Sequence, residues 1–301
     1  MVIIPSLNQS IEKIRIGHGS HSMVYKSTFD GIEVAEKVSN AEIATREYNI
    51  LKKLEHPNII RAIASYQDED KIVIVEELCI PYIQWRRYNV DIGVDCFKFL
   101  IDQVFTAVSF LHDNKIIHCD VKASNLLIKE SDHTVRLVVA DFSSAIVSDD
   151  KCHRSLPCFT ETHCAWELLN NKSWDEKIDS WSLGCCIFEM VYNKLLFKSH
   201  DVVKNGKISK RNVKSYNNSL YHWALYTGEL DHKSVQFAPV PFEKPNIVSG
   251  MKNSTSYHDN MILQLLKVYP QNRKKISEVF HTDDTGIKNV VVNSFNMKSK
   301  K

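Results

Sequence analysis

The sequence lacks any apolar run that approaches the roughly 18 to 20 residues of a membrane-spanning helix. Its first residues, MVIIPSLNQS, include a short apolar run but neither the basic start nor the long apolar stretch of a secretory signal peptide. The eight cysteines show no regular spacing of the kind found in secreted disulfide frameworks. We therefore expect an intracellular, soluble protein, cytoplasmic or nuclear, with reduced thiols and no membrane association.

An excess of charge of either sign is also missing. Lysine and arginine total 38 against 36 for aspartate and glutamate, so the net charge of +2 creates no whole-molecule attraction to nucleic acid or anionic lipid. We expect no nucleic-acid binding. The basic stretch at 204–214 is a local exception, and it is a solvated loop, a docking site for an acidic partner or a nuclear-import signal.

The chain divides by periodicity into a strand-rich first part and a mainly helical remainder. Alternating apolar and polar residues predict three strands within residues 11–39, and a helical pattern at 41–54 interrupts them before two further strands. The strongest later helical patterns lie at 97–112 and 177–192. These patterns predict an α+β protein with an antiparallel sheet and one helix in its first lobe. The predicted boundaries are 1–78 for this lobe, 79–289 for a helical lobe and 290–301 for a tail.

A glycine-containing turn separates the first two predicted strands. Gly17 and Gly19 flank His18, and Ser20 follows. Residues without bulky side chains let backbone N–H groups approach phosphate oxygens, although such a turn is more often a plain tight hairpin. The turn therefore indicates phosphate binding only together with other signals.

Charged residues of the next two elements supply such a signal. Lys37 lies on the third strand and Glu47 in the following helix, so the two side chains can form an ion pair that aims the ammonium at phosphate oxygens. The alternative is a surface lysine and a solvated glutamate.

Two polar loops bounded by short strands carry the most specific signal. The first, HCDVKASNLL, contains Asp120, Lys122 and Asn125, and the second, ADFS, contains Asp141. Phosphoryl transfer needs clamped phosphates, metal at the bridging oxygens and an acceptor hydroxyl aligned with a carboxylate. Two carboxylates, an amide and a lysine meet those needs.

These loops resemble the catalytic and metal-binding loops of eukaryotic protein kinases, and the motif order is similar from Ile14 to Phe280. The resemblance implies a bilobal protein kinase-like fold that uses ATP and Mg²⁺ to phosphorylate proteins. It implies that Lys37 and Glu47 form the nucleotide-orienting pair and that Asp120 accepts or orients the hydroxyl proton. It further implies that Lys122 steadies the γ-phosphate and that Asn125 and Asp141 hold magnesium.

The same resemblance implies a set of nucleotide-site residues. These are the phosphate loop (Gly17, His18, Gly19, Ser20), the apolar walls around adenine (Val24, Ala35, Leu127), backbone contacts at the hinge (Glu76, Leu78) and a gatekeeper side chain (Val75). The alternative for the apolar positions is ordinary core packing. Lys122 and Thr160 are similar to the serine/threonine branch, so protein serine or threonine hydroxyls are the implied substrates.

Further motifs are similar to the structural anchors of the family. Glu167 and Arg273 resemble the pair that ties the activation segment to the helical lobe. Asp179 and Trp181 resemble the anchors of its central helix. The interval of ten positions between Lys37 and Glu47 is similar to that of herpesvirus kinases and favours a large DNA virus as the source.

Four positions depart from the family pattern. Ser22 and Ser143 stand where the family has glycine, Cys119 stands where it has arginine, and Trp166 stands where it has proline. Cys119 leaves no guanidinium beside Asp120 to grip a phosphorylated loop, which predicts activity without loop phosphorylation. The departures also keep open a pseudokinase, a nucleotide-binding scaffold that transfers no phosphate. A nucleic-acid-binding protein without kinase activity would explain neither polar loop.

Overall fold

A computed structural model describes most of the chain. The described residues are 13–19, 22–131, 134–148, 160–197, 203–204, 207–208, 220, 223–224, 229, 251 and 256–280. They pack as two compact units, one containing the described residues up to Ala107 together with Ser124–Ala145, and the other containing Val108–Ala123 and the described residues from Ile146 to Phe280. The predicted boundaries at residues 78 and 289 stay a prediction.

An antiparallel five-stranded sheet forms the centre of the first unit, with strand order β1-β2-β3-β5-β4. Its strands are β1 (Ile14–His18), β2 (Ser22–Phe29), β3 (Ile32–Asn40), β4 (Ala62–Asp68) and β5 (Lys71–Glu77). Helix α1 (Ala41–Leu51) follows β3 and ends three residues earlier than predicted. It begins where it does because the Asn40 side chain caps it by accepting a hydrogen bond from the Ile43 N–H at 2.9 Å.

The first unit also contains a smaller antiparallel sheet of order β6-β8-β9. Its strands are β6 (Ile80–Pro81), β8 (Leu126–Ser131) and β9 (Thr134–Val139), and helix α2 (Tyr82–Tyr88) follows β6. The buried amide of Asn58 joins the segment after α1 to this sheet, donating to Gln103 Oε1 at 2.6 Å and to the Leu137 carbonyl at 2.8 Å. These hydrogen bonds help to explain why Ser124–Ala145, which is distant in sequence from the five-stranded sheet, belongs to the first unit.

Helices dominate the second unit. Helix α3 (Val94–Asp113) enters it, and the unit contains β7 (Ile116–Ile117), β10 (Ile146–Val147), α4 (Trp166–Leu169), α5 (Lys177–Tyr192), β11 (Val203–Lys204), β12 (Lys207–Ile208), α6 (Tyr257–Leu265) and α7 (Ile276–Val279). Helix α5 has the predicted bounds and is buried on nearly every side, as expected for a helix that is apolar all round. Its Trp181 stacks on Phe197 with ring centroids 5.5 Å apart.

A buried ion pair ties α4 to the segment before α7. Arg273 donates to both carboxylate oxygens of Glu167, at 2.6 and 3.1 Å, and both side chains are about 1% exposed or less. The guanidinium lies 5.1 Å from the Trp181 ring. This is the anchoring pair that the sequence resemblance implied. Among the described helices, none combines the length and apolar character needed to cross a membrane.

Candidate active site

Lys37 lies at the centre of a buried charge cluster in the first unit. Its ammonium donates to Glu47 Oε1 and to Asp141 Oδ1, both at 2.7 Å. Strand β3 and helix α1 follow each other in the chain, so they supply the lysine and one carboxylate, while the loop after β9 supplies the other. Glu47 Oε1 also accepts the Phe142 backbone N–H at 2.9 Å, which fixes that loop against α1. The pair predicted from Lys37 and Glu47 thus forms, and Asp141 joins it.

The electrostatics of this cluster keep the lysine charged. Burial alone lowers the pKa of Lys37, but the carboxylates of Glu47 and Asp141 outweigh it, so the pKa lies above its ordinary value. Burial raises the pKa of Glu47, and the Lys37 ammonium opposes that rise. The Lys37 ammonium therefore stays charged, and hydrogen bonds to the two carboxylates fix the direction of two of its N–H bonds.

The metal-loop residues are held by backbone contacts within the same unit. The Ala140 N–H donates to the Asn125 carbonyl at 2.9 Å, which brings Asn125 beside the residue that precedes Asp141. Asp141 adopts a left-handed backbone conformation with φ of 62°. Arg46 of α1 donates to the Ser143 carbonyl, a contact that no sequence motif indicated. The carboxylate and amide oxygens of Asp141 and Asn125 suit Mg²⁺, which prefers oxygen ligands.

The glycine turn is described only in part. Gly17 and His18 lie in β1, and the Gly19 N–H closes the turn by donating to the Ser22 carbonyl at 2.8 Å. Ser20 lies outside the described residues. A Cβ at Gly19 would come within 3.0 Å of the Ser22 hydroxyl oxygen, so glycine suits this close turn.

The strand register shows which side chains share the Lys37 face of the sheet. Val24 is paired with Lys37, and Ala35 is paired with Glu76, in ladders that contain no bulge between these positions. Successive side chains alternate between faces, so the Glu76 side chain shares the face of Ala35 and Lys37. Val75 points to the other face, and its predicted gatekeeper role is wrong. A shift of one residue along a strand moves a side chain to the opposite face of the sheet, and sequence similarity alone did not determine the position to within one residue.

The remaining predicted wall and hinge residues occupy nearby strands. Leu127 is a partly buried residue of β8 and is paired with Val138 of β9. Leu78 directly follows β5, and its carbonyl accepts a hydrogen bond from Lys129 Nζ at 2.8 Å. Contacts between adenine and these residues stay a prediction.

Asp120 lies at the centre of a polar cluster in the second unit. The Thr160 hydroxyl donates to Asp120 Oδ1 at 2.6 Å, and Lys122 Nζ lies 2.8 Å from Asp120 Oδ2. Lys122 also donates to the Thr160 oxygen at 2.6 Å. The three residues therefore form a closed ring in which the carboxylate already holds an alcohol hydroxyl. Sequence reasoning named Thr160 and Lys122 but not this contact.

A buried carboxylate of α5 fixes the backbone before Asp120. Asp179 accepts the His118 N–H at 2.8 Å and the Cys119 N–H at 2.9 Å. It also contacts His112 Nε2 at 3.0 Å. These bonds hold Cys119 in a left-handed conformation with φ of 68°, which is uncommon for a residue other than glycine. Asp179 was predicted as a helix anchor, whereas His112 was missed because nothing in its local pattern distinguishes it from other helix residues.

The clusters around Lys37 and Asp120 both fall within a segment that is similar to known proteins. Residues 11–283 match the family model described as "Protein kinase domain". The chain belongs to the protein kinase family. Membership confirms the predicted α+β, bilobal protein kinase-like fold, to which the antiparallel sheet and the helices described above conform.

Several named serine/threonine-protein kinases are similar to this kinase domain. Nek5 of Homo sapiens is 28% identical over 187 residues, covering 60% of the chain and 26% of that protein. ATG1c of Arabidopsis thaliana is 30% identical over 209 residues, covering 63% of the chain and 28% of that protein. A kinase of Acanthamoeba polyphaga mimivirus is 32% identical over 201 residues, covering 63% of the chain and 36% of that protein. The chain thus spans about a quarter to a third of the length of these relatives, each of which is named as a serine/threonine-protein kinase.

Proposed function

We propose that this kinase domain is an active protein kinase that transfers the γ-phosphate of ATP to serine and threonine hydroxyls of proteins. The observation that carries the proposal is the Thr160 hydroxyl held 2.6 Å from Asp120 Oδ1. A substrate serine or threonine presents the same group as Thr160. The contact supports a role in which Asp120 orients that hydroxyl and receives its proton.

The nucleotide would be held by the Lys37 cluster. Two of the ammonium N–H bonds point to Glu47 and Asp141, so the third can reach a phosphate oxygen while the carboxylates keep the side chain fixed. Backbone N–H groups of the glycine turn would bind further phosphate oxygens. The proposed binding residues remain those that the family resemblance implies: Gly17, His18, Gly19, Ser20, Val24, Ala35, Glu76, Leu78 and Leu127.

Magnesium fits the donor set of Asn125 and Asp141, which we propose as its ligands. When bound, the ion would supply positive charge that offsets the negative charge developing during transfer. Asp141 would then have two roles, since it also contacts the Lys37 ammonium at 2.7 Å.

The proposed transfer is a single displacement. The substrate hydroxyl oxygen attacks the γ-phosphorus as its proton passes to Asp120, and the bond to the β–γ bridging oxygen breaks, so ADP leaves. Lys122 contacts Asp120 Oδ2 at 2.8 Å and would stabilise both the carboxylate and the incoming phosphoryl oxygens.

A pseudokinase is the second candidate, favoured by Cys119 and Ser143 at positions where the family pattern has arginine and glycine. Transfer of labelled phosphate from Mg-ATP to a mixed protein substrate separates the two functions. We expect Asp120→Asn to lower the rate about a hundredfold or more, because a general base contributes that much, while ATP binding persists. If wild type and Asp120→Asn transfer no phosphate but both bind ATP, the chain is a scaffold.

The identity of the substrates and partners rests on the same proposal. Protein serine and threonine residues are the proposed targets, and an acidic partner could dock on the basic stretch at 204–214. Only Lys204 and Lys207 of that stretch's basic residues fall in described strands, and the others lie outside the described residues. A viral source and a cytoplasmic or nuclear location likewise stay predictions.

A further inference from the structure

Helix α1 holds the metal loop, residues 141–145, through two consecutive side chains. Glu47 Oε1 accepts the Phe142 N–H at 2.9 Å, and the Arg46 guanidinium donates to the Ser143 carbonyl. These two bonds attach an N–H and the next carbonyl of the loop to the helix, so the loop backbone is fixed at two successive residues.

The two side chains act from different environments. Glu47 is fully buried, and its Oε1 atom also accepts a hydrogen bond from Lys37 at 2.7 Å. Its contact with the loop therefore belongs to the charge cluster in which nucleotide phosphates are proposed to bind. Arg46 lies about 100° further around the helix and is exposed. Its bond to the Ser143 carbonyl thus lies outside that buried cluster.

The backbone of the loop needs such support. Asp141 has a φ of 62°, a left-handed conformation that is unfavourable for residues other than glycine and persists only where surrounding contacts fix it. Phe142–Ser144 adds a single turn, in which the Ala145 N–H donates to the Phe142 carbonyl at 3.0 Å. One turn is not stable by itself, because closing it costs more conformational entropy than one hydrogen bond returns. Contacts with α1 therefore decide whether the loop keeps this shape.

Ser143 limits the alternative shapes of the loop. It stands where the family pattern has glycine, and its own φ is negative. A residue with a Cβ seldom enters the left-handed region, so serine removes conformations that glycine would allow. With fewer alternatives to exclude, one hydrogen bond from α1 has a larger influence on the order of the loop.

We propose that Arg46 is a positioning residue that keeps the metal loop ordered, with the Asp141 carboxylate directed at Lys37, before nucleotide or magnesium binds. The inference deepens the proposed function and rests on it, since Asp141 and Asn125 are the proposed magnesium ligands. A loop that α1 orders needs no phosphorylated residue to order it. Arg46 thereby supplies a structural reason for activity without loop phosphorylation, which Cys119 predicts.

Hydrogen-exchange mass spectrometry of the nucleotide-free protein tests the inference without a catalytic readout. The Phe142 and Ala145 amides report opening of the loop, because both are hydrogen-bonded when the loop is ordered. We expect them to exchange about three- to tenfold faster in Arg46→Met than in wild type, the factor that one hydrogen bond represents. Arg46→Lys keeps a cationic donor and should restore part of the protection.

Two controls separate positioning of the loop from general stability. Arg87→Met removes an exposed arginine of α2 and should leave the exchange rates of the loop unchanged. The Val73 and Val75 amides of β5 should exchange equally slowly in wild type and Arg46→Met. Equal acceleration of β5 and the loop would mean that Arg46 stabilises the whole unit, and it would overturn the inference. A loop as protected in Arg46→Met as in wild type would overturn it too.

Calorimetric titration with ADP at several Mg²⁺ concentrations connects the loop to the proposed function. Apparent affinity falls in proportion to the fraction of molecules that are competent to bind. The half-saturating Mg²⁺ concentration of Arg46→Met should therefore exceed that of wild type by the factor by which the exchange rates lower the ordered fraction. Any other factor would contradict the positioning role. If wild type binds no ADP while the exchange rates change as expected, the proposed function fails and the ordering role of Arg46 stands, so the two failures are distinguishable.

Discussion

The buried pair of Glu167 and Arg273 provides a demanding test of how this chain is stabilised. Removing Arg273 as Arg273→Met leaves the Glu167 carboxylate about 1% exposed and without its cation. Loss of one partner of a buried ion pair typically costs about 3 to 5 kcal/mol. We expect the free energy of unfolding of Arg273→Met to fall by that amount.

The reverse change should be milder because Arg273 has other partners. Its guanidinium also donates to the carbonyls of Lys267, Lys177 and Val268, at 2.7, 3.0 and 2.9 Å. In Glu167→Gln these three bonds persist, and the new amide oxygen can still accept one hydrogen bond from Arg273. We therefore expect a loss of about 1.5 to 3 kcal/mol, the net value of one hydrogen bond to a charged group.

Urea unfolding of the single variants and of the double variant measures these differences. The double variant has no unpaired carboxylate, so it should be more stable than the sum of the single losses predicts by about 1 to 3 kcal/mol. Lys275→Met is the matched control, because Lys275 is paired with Glu176 at the surface and its side chain is 49% exposed. That change should cost under about 1 kcal/mol. Additive losses, or a larger loss for Glu167→Gln than for Arg273→Met, would refute the reasoning.

Three further predictions follow from single residues. Burial raises the pKa of the Glu76 carboxyl from an ordinary 4.5 to about 8. Between pH 4.5 and pH 8 the folded state therefore holds a proton that the unfolded state releases. Stability should therefore fall as pH rises from 4.5 to 8, by up to about 1.4 kcal/mol per pH unit, and chemical denaturation of Glu76→Gln should show a flatter dependence. Gly184→Ala should lower the free energy of unfolding, measured with urea, by about 1 to 3 kcal/mol, because the new Cβ would lie 2.7 Å from Leu266 Cγ. Gly93→Ala is the control and should leave stability unchanged, because no atom lies within 4 Å of the Cβ that it adds. Because Cys119 replaces the loop-gripping arginine, phosphatase treatment should leave the kinase activity unchanged, and its abolition would contradict this.

Much of the fold and part of the site could be predicted from local sequence. The helix predicted at about 177–192 runs from Lys177 to Tyr192, because a strongly apolar segment of this length indicates a buried helix. The ion pair of Lys37 and Glu47 was predicted because the family motifs retain both residues, and the 2.7 Å contact bears this out. The helix predicted at residues 41–54 ended at Leu51 instead, since ends of helices depend on caps more than on periodicity.

Other features depended on residues that are far apart in sequence. Asp179 holds the backbone of Cys119 across 60 positions, and Thr160 reaches Asp120 across 40. Arg46 contacts the Ser143 carbonyl through no motif at all. Such contacts arise from packing of complete elements, which periodicity within one segment does not encode.

The sequence by itself determined the family, the order of the polar loops and the identity of the charged residues, because these depend on which side chains are present and on their local spacing. Only the tertiary structure decided that the Glu76 side chain, rather than that of Val75, shares the face of Lys37. The physical reason is that the facing of a strand residue depends on its pairing with distant strands, and a shift of one position reverses it.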